Sequence, residues 1–275
     1  MNEYRLDSGT ATFDEINSTI KPFIIHDEYF VSASNGSVLT VEGKTMLDSE
    51  SSVYVSDSYD QGTYAFHAAD SAKMFFNGDI DVTIKHSLPD DQQITSIGAN
   101  GFYAQRNAEI HLGSTGTTTK AWVLAGQPDL ISAKRGGKVH IHSTHNMLVG
   151  SVDMIGSTKV NGTYYGYGEV TGTFSGRDSY WFGDEQSWQN TKLTDADATD
   201  EQRQALDKLH EDAVNGGESL EFVFQDGAQW TYLGISDEDS TTVTLDNGTN
   251  VDIDVASIAK RMGWGAKSGL GNPGA

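Results

Sequence analysis

A short strand motif recurs along this chain at intervals close to thirty residues, and this periodicity constrains the fold more than any other feature. Each copy consists of a small residue, a polar or charged residue and a β-branched aliphatic residue, and successive copies begin 30, 29 and 31 residues apart. The four copies are Gly78-Asp79-Ile80, Ala108-Glu109-Ile110, Gly137-Lys138-Val139 and Gly168-Glu169-Val170. Self-similarity at such an interval is typical of repeat architectures.

Each copy opens a segment in which apolar and polar residues alternate, as Val139 and Ile141 do, and this alternation predicts a half-buried strand. Residues 103–112 align with residues 132–141, with alanine, arginine and histidine at matching places. A unit of about thirty residues with such short strands buries its apolar face only by stacking on copies of itself. We therefore expect an all-β fold, a right-handed parallel β-helix (β-solenoid) over residues 1–255, because crossovers between parallel strands are right-handed.

This architecture predicts that Ile80, Ile110, Val139 and Val170 stack in one interior column. The alternative fold, an antiparallel sandwich, also has alternating strands but is not expected to hold one register across four copies. Asn-Gly dipeptides between the strands predict tight turns with positive φ angles. They stand at 35–36, 77–78, 100–101, 161–162, 215–216 and 247–248.

One segment departs from the strand pattern, and it predicts a helical insertion at about residues 195–216. Thr199 and Gln202 have the spacing of a capping box, and Leu206 begins an apolar stripe at helical spacing. A short C-terminal helix and a flexible tail are expected within residues 256–275, where the final segment is rich in glycine. The insertion is expected to dock its narrow apolar stripe on the side of the solenoid.

The charge of the chain argues against two classes of partner. The sequence has 18 Lys and Arg residues against 39 Asp and Glu residues, a formal net charge of −21. A surface this acidic repels phosphate backbones and anionic lipid headgroups, so we expect neither nucleic-acid binding nor direct membrane insertion. The chain has no cysteine, which excludes disulfides and thiolate metal sites.

Motifs for catalysis and for cofactor binding are weak. The chain lacks a Gly-Asp-Ser-Gly phrase and a glycine-rich phosphate loop, and Ser175 does not have the spacing of a nucleophile elbow. The acidic segments at 236–240 and 246–254 lack the period of calcium-binding β-rolls, and we interpret them as solvated turns. We therefore predict a protein that is not an enzyme and has no cofactor.

Histidines at alternate strand positions raise the question of a metal site. The spacing of His140 and His142 permits two imidazoles on one metal, with His145 as a third ligand. The simpler interpretation, which we adopt, is that Ile141 faces the core and both flanking histidines face water, with His111 stacked on His140. No acidic partner for these imidazoles stands nearby in the sequence, so we predict no metal.

Aromatic residues are the candidates for partner binding. They crowd a glycine-rich turn and the coil that follows it, and strand alternation keeps some of them from pointing inward. Tyr and Trp are frequent anchors of binding surfaces. The alternative is that these rings wall the core beside the helical insertion. The candidate partner-binding residues are Tyr164, Tyr165, Tyr167, Tyr180, Trp181 and Trp188.

Residues 172–188, 224–234 and 241–253 resemble the passenger domains of bacterial autotransporter adhesins, which are long, cysteine-free β-helices rich in Gly, Asn, Thr and Ser. The resemblance implies a non-enzymatic adhesive or spacer segment, excised from a longer secreted chain. It also implies display on the cell surface through an outer-membrane β-barrel that lies outside this chain. The implied partners are a host or bacterial surface protein or glycan, or another copy of the chain, in cell–cell, host or biofilm attachment.

The alternative function is a β-helical carbohydrate-active enzyme, either a polysaccharide lyase or a glycoside hydrolase. Such an enzyme needs charged groups that converge on one face of the solenoid, whereas a regular stack with exposed rings favours adhesion. The 39 carboxylates do not decide between them, because a pair for glycoside hydrolysis can be assembled from many positions.

Overall fold

A computed structural model of the chain describes residues 4–20, 29–51, 63–86, 98–124, 127–154, 168–183, 219–231, 241–244 and 250–253. These residues form strands and turns, with no helix among them. The strands lie in three parallel sheets of six, seven and seven strands, here called sheets A, B and C. This is the predicted right-handed parallel β-helix, and parallel pairing excludes the antiparallel sandwich. The predicted helices at 195–216 and within 256–275 lie outside the described residues.

The strands of each sheet stack in chain order. Sheet A contains β1 (Tyr4–Leu6), β4 (Tyr29–Ala33), β7 (Thr63–Ala68), β10 (Gly98–Gln105), β13 (Gln127–Lys134) and β16 (Ser151–Asp153). Sheet B contains β2 (Thr10–Phe13), β5 (Val38–Val41), β8 (Lys73–Phe76), β11 (Glu109–Leu112), β14 (Lys138–Ile141), β17 (Glu169–Ser175) and β19 (Ser219–Gln225). Sheet C contains β3 (Ile16–Ile20), β6 (Thr45–Ser51), β9 (Ile80–His86), β12 (Thr118–Leu124), β15 (His145–Val149), β18 (Tyr180–Phe182) and β20 (Gln229–Thr231). The last two strands, β21 (Thr241–Thr244) and β22 (Asn250–Ile253), pair antiparallel with each other.

Among the described residues, six turns of the solenoid each contribute a strand to sheets A, B and C in that order, beginning with β1, and β19 and β20 follow in sheets B and C. The interior column of sheet B contains three of the four residues predicted for it. Ile110 lies opposite Val139, and Val139 lies opposite Val170. The prediction for Ile80 is wrong, because Ile80 begins β9 in sheet C, and Met74 holds its place opposite Ile110. Gly78-Asp79-Ile80 opens a strand of sheet C, whereas the other three copies open strands of sheet B, so the motif does not mark a single sheet.

Side-chain alternation builds the core. Leu39, Met74, Ile110 and Val139 are fully buried on four successive strands of sheet B. On each of these strands, the residues directly before and after the buried one face outward. Aromatic rings stack within the interior, where Phe66 lies on Phe102 with ring centres 5.2 Å apart. The clustered interior residues run from sheet A through sheet C as one hydrophobic core.

The corner between sheets A and B is a tight turn in successive solenoid turns. Asn35 and Gly36 have φ angles of 53° and 71°, which confirms the turn predicted at 35–36. Pairs of positive φ angles recur at 70–71, 106–107 and 135–136, so the same turn is stacked four times although its sequence varies. A backbone hydrogen bond from Gly36 N to the carbonyl oxygen of Asp70, 2.8 Å long, joins two neighbouring turns of this stack.

Two other Asn-Gly predictions are wrong. Asn77 and Gly78 have no positive φ angle, and a Cβ atom at Gly78 would overlap the backbone oxygen of Gly43. Close approach between neighbouring coils therefore explains this glycine, rather than turn conformation. Asn100 and Gly101 lie inside strand β10. The predicted turns at 161–162, 215–216 and 247–248 lie outside the described residues.

The outward faces of the three sheets differ in exposure. In one outward column of sheet A, Ser32, His67, Ser132 and Asp153 are 5%, 7%, 1% and 0% exposed. Arg5 and Tyr103 belong to the same column and reach solvent. On sheet B, no described outward side chain is buried, from Thr12 on β2 at one end of the stack to Glu221 on β19 at the other end. Sheet B therefore presents the open face of the described solenoid. Among the described residues, no helix has the length and hydropathy that spanning a membrane requires.

Candidate functional site

The open face of sheet B carries two parallel rows of side chains that run along the solenoid. In the first row, Lys73, Glu109, Lys138 and Glu169 occupy matching register positions on β8, β11, β14 and β17. The second row lies two residues further along each strand. It contains Thr12, Thr40, Phe75, His111, His140, Thr171 and Glu221. Parallel, in-register pairing is what aligns these side chains, because each strand offers the same positions to the outside.

The first row consists of alternating positive and negative charges. The Lys73 Nζ atom lies 2.8 Å from Glu109 Oε2, and the Lys138 Nζ atom lies 2.8 Å from Glu169 Oε2. The hydrogen bond from Lys73 lowers the pKa of Glu109, and the hydrogen bond to Glu169 raises the pKa of Lys138. These half-exposed pairs add little stability, but they keep Glu109 ionised beside the second row.

His111 stands at the centre of the second row and makes three contacts. Its ring stacks on Phe75, with ring centres 4.6 Å apart and planes within 9°. Its Nε2 atom lies 3.2 Å from Glu109 Oε2, and its Nδ1 atom lies 2.9 Å from His142 Nε2. Burial lowers the pKa of His111, so the neutral imidazole is favoured. Because an ionised carboxylate only accepts hydrogen bonds, Nε2 of His111 carries the proton and Nδ1 is the acceptor.

The contact between His111 and His142 is an in-plane hydrogen bond. The ring centres are 5.2 Å apart and the two nitrogens are 2.9 Å apart. The difference between these two distances equals the distance from ring centre to nitrogen, counted once for each imidazole. The two nitrogens therefore lie on the line between the ring centres, and planes within 5° of each other make the rings coplanar. His142 donates from Nε2 to Nδ1 of His111, which orders a chain from Glu109 through His111 to the exposed His142.

The third imidazole, His140, is oriented by a hydroxyl group. Its ring centre lies 5.2 Å from that of His111, and its Nδ1 atom lies 2.9 Å from Thr171 Oγ1. Burial lowers the pKa of His140 as well. The prediction that His111 and His140 stack and that Ile141 faces the core is confirmed. Within the described ranges, no three His, Cys, Asp or Glu side chains already have the arrangement of a metal site.

His145 does not join this cluster. It begins β15 in sheet C, and its Nδ1 atom lies 3.3 Å from Ser179 Oγ. The acidic partner Glu109 was not predicted, because in the sequence it stands beside His111 and not beside His140. The signal was present, since Glu109 and His111 are two residues apart and strand alternation puts them on one face.

A second group of polar side chains converges on the outward face of sheet A. Gln105 Nε2 donates to His67 Nε2 over 2.9 Å, and Tyr103 OH donates to Gln105 Oε1 over 3.1 Å. The Lys134 Nζ atom lies 2.6 Å from Asp153 Oδ2 and 6.0 Å from the centre of the Tyr103 ring. Burial, together with the charge of Arg106, lowers the pKa of His67 to about 4, so this imidazole is neutral. Carboxylate, lysine and neutral imidazole thus lie on one buried outer surface.

Two of the predicted partner-binding rings are buried. Tyr180 and Trp181 are 3% and 2% exposed, and burial raises the pKa of Tyr180 to about 12. Trp181 occupies the interior column of sheet C, where it stacks on Trp230 with ring centres 5.5 Å apart. Neither buried ring offers a contact surface. Trp181 belongs to the core, as the alternative expects, whereas Tyr180 faces outward on sheet C and is buried there. Tyr164, Tyr165, Tyr167 and Trp188 lie outside the described residues.

Comparisons of the chain with protein-family models, with curated proteins and with solved structures found no match.

Proposed function

We propose that this chain is a non-enzymatic, adhesive or spacer segment of a bacterial surface autotransporter, and that the open face of sheet B is its contact surface. The partner is a protein or glycan on a host or bacterial surface. The observation that supports this proposal most strongly is the contrast between the outward faces. Four of the six described residues in the central outward column of sheet A are buried, whereas every described outward side chain of sheet B reaches solvent.

The chemistry of this face suits a broad contact. Its second row offers a phenyl ring, two imidazoles and hydroxyl groups. Its first row offers lysines and glutamates that pair at hydrogen-bond distance. Rings and imidazoles give flat apolar contact area, and neighbouring carboxylates and ammonium groups supply hydrogen bonds. The parallel stack holds these groups in fixed positions, so little side-chain entropy is lost on contact.

The test uses two double variants that place two lysines on different faces. Thr40→Lys with Thr171→Lys changes the second row of sheet B at two well-separated strands. Met46→Lys with Thr83→Lys is the matched control, because both residues are half-exposed and face outward on sheet C. Both variants change the net charge by the same amount and leave the interior untouched. Cells that display each chain are compared for adherence and for cell–cell aggregation.

The proposal expects the sheet B variant to lose most of the adherence and the sheet C variant to keep it. Far-ultraviolet circular dichroism and melting of the purified variants establish that both remain folded. Equal adherence of both variants and the unchanged chain would contradict a contact surface on sheet B. If display of the unchanged chain adds no adherence to the cells, the adhesive role is excluded and the spacer role is left.

A second function, a β-helical carbohydrate-active enzyme, is favoured by the polar group on sheet A. Lys134 and Asp153 form an ion pair on the outward face of sheet A, and the neutral His67 lies on the same face, three strands from Asp153. A lyase uses such groups to neutralise a uronate and to remove its α-proton. The test incubates the purified chain with uronate polysaccharides and measures the ultraviolet absorbance of an unsaturated product. Asp153→Asn is expected to abolish any such activity, and absence of product from the unchanged chain would exclude the lyase.

A further inference from the structure

The geometry points to a metal-binding pair on sheet B, in which Nδ1 of His111 and Nε2 of His142 bind one divalent transition-metal ion, with water in the remaining positions. We take zinc as the probe, because imidazole nitrogen suits zinc, whereas magnesium and calcium prefer oxygen ligands. This inference does not depend on the proposed adhesive function.

The spacing of the two nitrogens is close to that of two ligands on one ion. Zinc lies about 2.0–2.1 Å from each imidazole nitrogen, so two such nitrogens at tetrahedral angles are about 3.4 Å apart. Nδ1 of His111 and Nε2 of His142 are already 2.9 Å apart. Binding therefore requires a rotation of side chains and not a movement of strands.

His111 is already oriented as a metal ligand. Histidines that bind metals usually donate their other ring N–H to a carboxylate, which fixes the tautomer and aims the free lone pair. Glu109 Oε2 lies 3.2 Å from Nε2 of His111, and Lys73 holds the same carboxylate oxygen at 2.8 Å. The stack on Phe75 restrains the plane of the ring. Nδ1 of His111 is thus presented as an acceptor on the open face of the sheet.

His142 supplies the mobility that binding needs. It follows β14 directly and its side chain is exposed, so the imidazole can turn away from the line that now joins the two nitrogens. Its proton moves through solvent from Nε2 to Nδ1, which frees the Nε2 lone pair for the metal. His140, oriented by Thr171, stands beside the pair with its ring centre 6.2 Å from that of His142.

The test is a titration of the purified full chain with zinc chloride, measured by calorimetry in about 0.15 M salt with excess magnesium. The magnesium occupies the acidic surface of a chain with net charge −21, so that only sites selective for zinc are detected. His142→Gln changes an exposed side chain, and we expect it to weaken zinc binding at least tenfold. His145→Gln is the matched control, because His145 is three residues away in sequence and lies on sheet C. It should bind zinc as the unchanged chain does.

Two further measurements separate a metal ligand from a structural role. Glu109→Gln should weaken zinc binding roughly tenfold, since a carboxylate that orients a ligating histidine typically contributes that much. Nitrogen-15 spectra should show zinc-dependent shifts at Nδ1 of His111 and Nε2 of His142, and at neither nitrogen of His145. Equal zinc affinity in the unchanged chain and in His142→Gln would overturn the proposal, as would the absence of saturable zinc binding in excess magnesium.

Discussion

Replacing Asn146 with alanine should destabilise the solenoid by about 3 kcal/mol, because its side chain ties neighbouring coils together inside the protein. Asn146 is 0% exposed. Its Nδ2 atom donates to the carbonyl oxygen of Ser143 over 2.8 Å and to that of Thr173 over 2.7 Å, and its Oδ1 atom accepts from Ser143 Oγ over 2.7 Å. Each such bond contributes about 1 kcal/mol net. The hydroxyl proton of Ser143 is used in this bond, so Thr119 is the donor in the 2.7 Å contact between the two hydroxyls.

The assay is unfolding in urea followed by circular dichroism, with the free energy of unfolding extrapolated to water. Asn77→Ala is the control for the same substitution at an exposed site, since Asn77 follows β8 and its side chain makes an exposed contact with Glu42 Oε2 at 2.9 Å. We expect the control to lose less than about 0.5 kcal/mol. A loss below about 1 kcal/mol for Asn146→Ala, or equal losses in both variants, would refute the assignment of a buried network.

Three other perturbations have defined outcomes. Phe102→Ala should cost about 3–5 kcal/mol in urea unfolding, because the ring is 0% exposed and stacks on Phe66, whereas Phe75→Ala, which truncates an outward-facing ring, should cost much less. Stability should fall as the pH drops from 6.5 to about 4, since burial holds the pKa of His67 at about 4 in the folded chain and the unfolded chain binds the proton first; the contribution is about 3 kcal/mol, and it should vanish in a pH series on His67→Gln. Gly168→Ala should lower the melting temperature by the equivalent of about 1–3 kcal/mol, because a Cβ atom there would overlap the carbonyl oxygen of Ala133, and an unchanged melting temperature would show that the coils separate freely.

The class of fold could be predicted because alternation and self-similarity are local properties of the sequence. Ile110 and Val139 lie in register, and the residues after them face outward, as the alternation indicates. The length of the repeat could not be predicted from a fixed interval. Only residues 125–126 separate β12 from β13, whereas residues 52–62 separate β6 from β7, so turns of the solenoid differ in length. This variation put Ile80 in the wrong sheet.

The candidate site was only partly predictable for a related reason. That His140 faces outward follows from one strand, but the contact between His111 and His142 depends on the register between two strands. The burial of Tyr180 depends on what covers the outside of sheet C, and the short segment around it contains no signal for that. Local pattern therefore predicted which way side chains point, while their neighbours and exposure required the three-dimensional structure.

The stacking of sheet B in chain order underlies the contact surface, the metal pair and the stability predictions, and distances between spin labels test it most directly. Because the chain has no cysteine, labels attach only to introduced cysteines. Neighbouring strands are about 4.8 Å apart, so labels at Thr40 and Thr171, four strands apart, should give a distance near 19 Å. Labels at Thr40 and Glu221 should give about 24 Å, and labels at Thr12 and Glu221 about 29 Å. Equal steps of one strand spacing are the predicted result, even though about fifty residues separate Thr171 from Glu221 in sequence. Distances that follow sequence separation instead of strand order would contradict the solenoid.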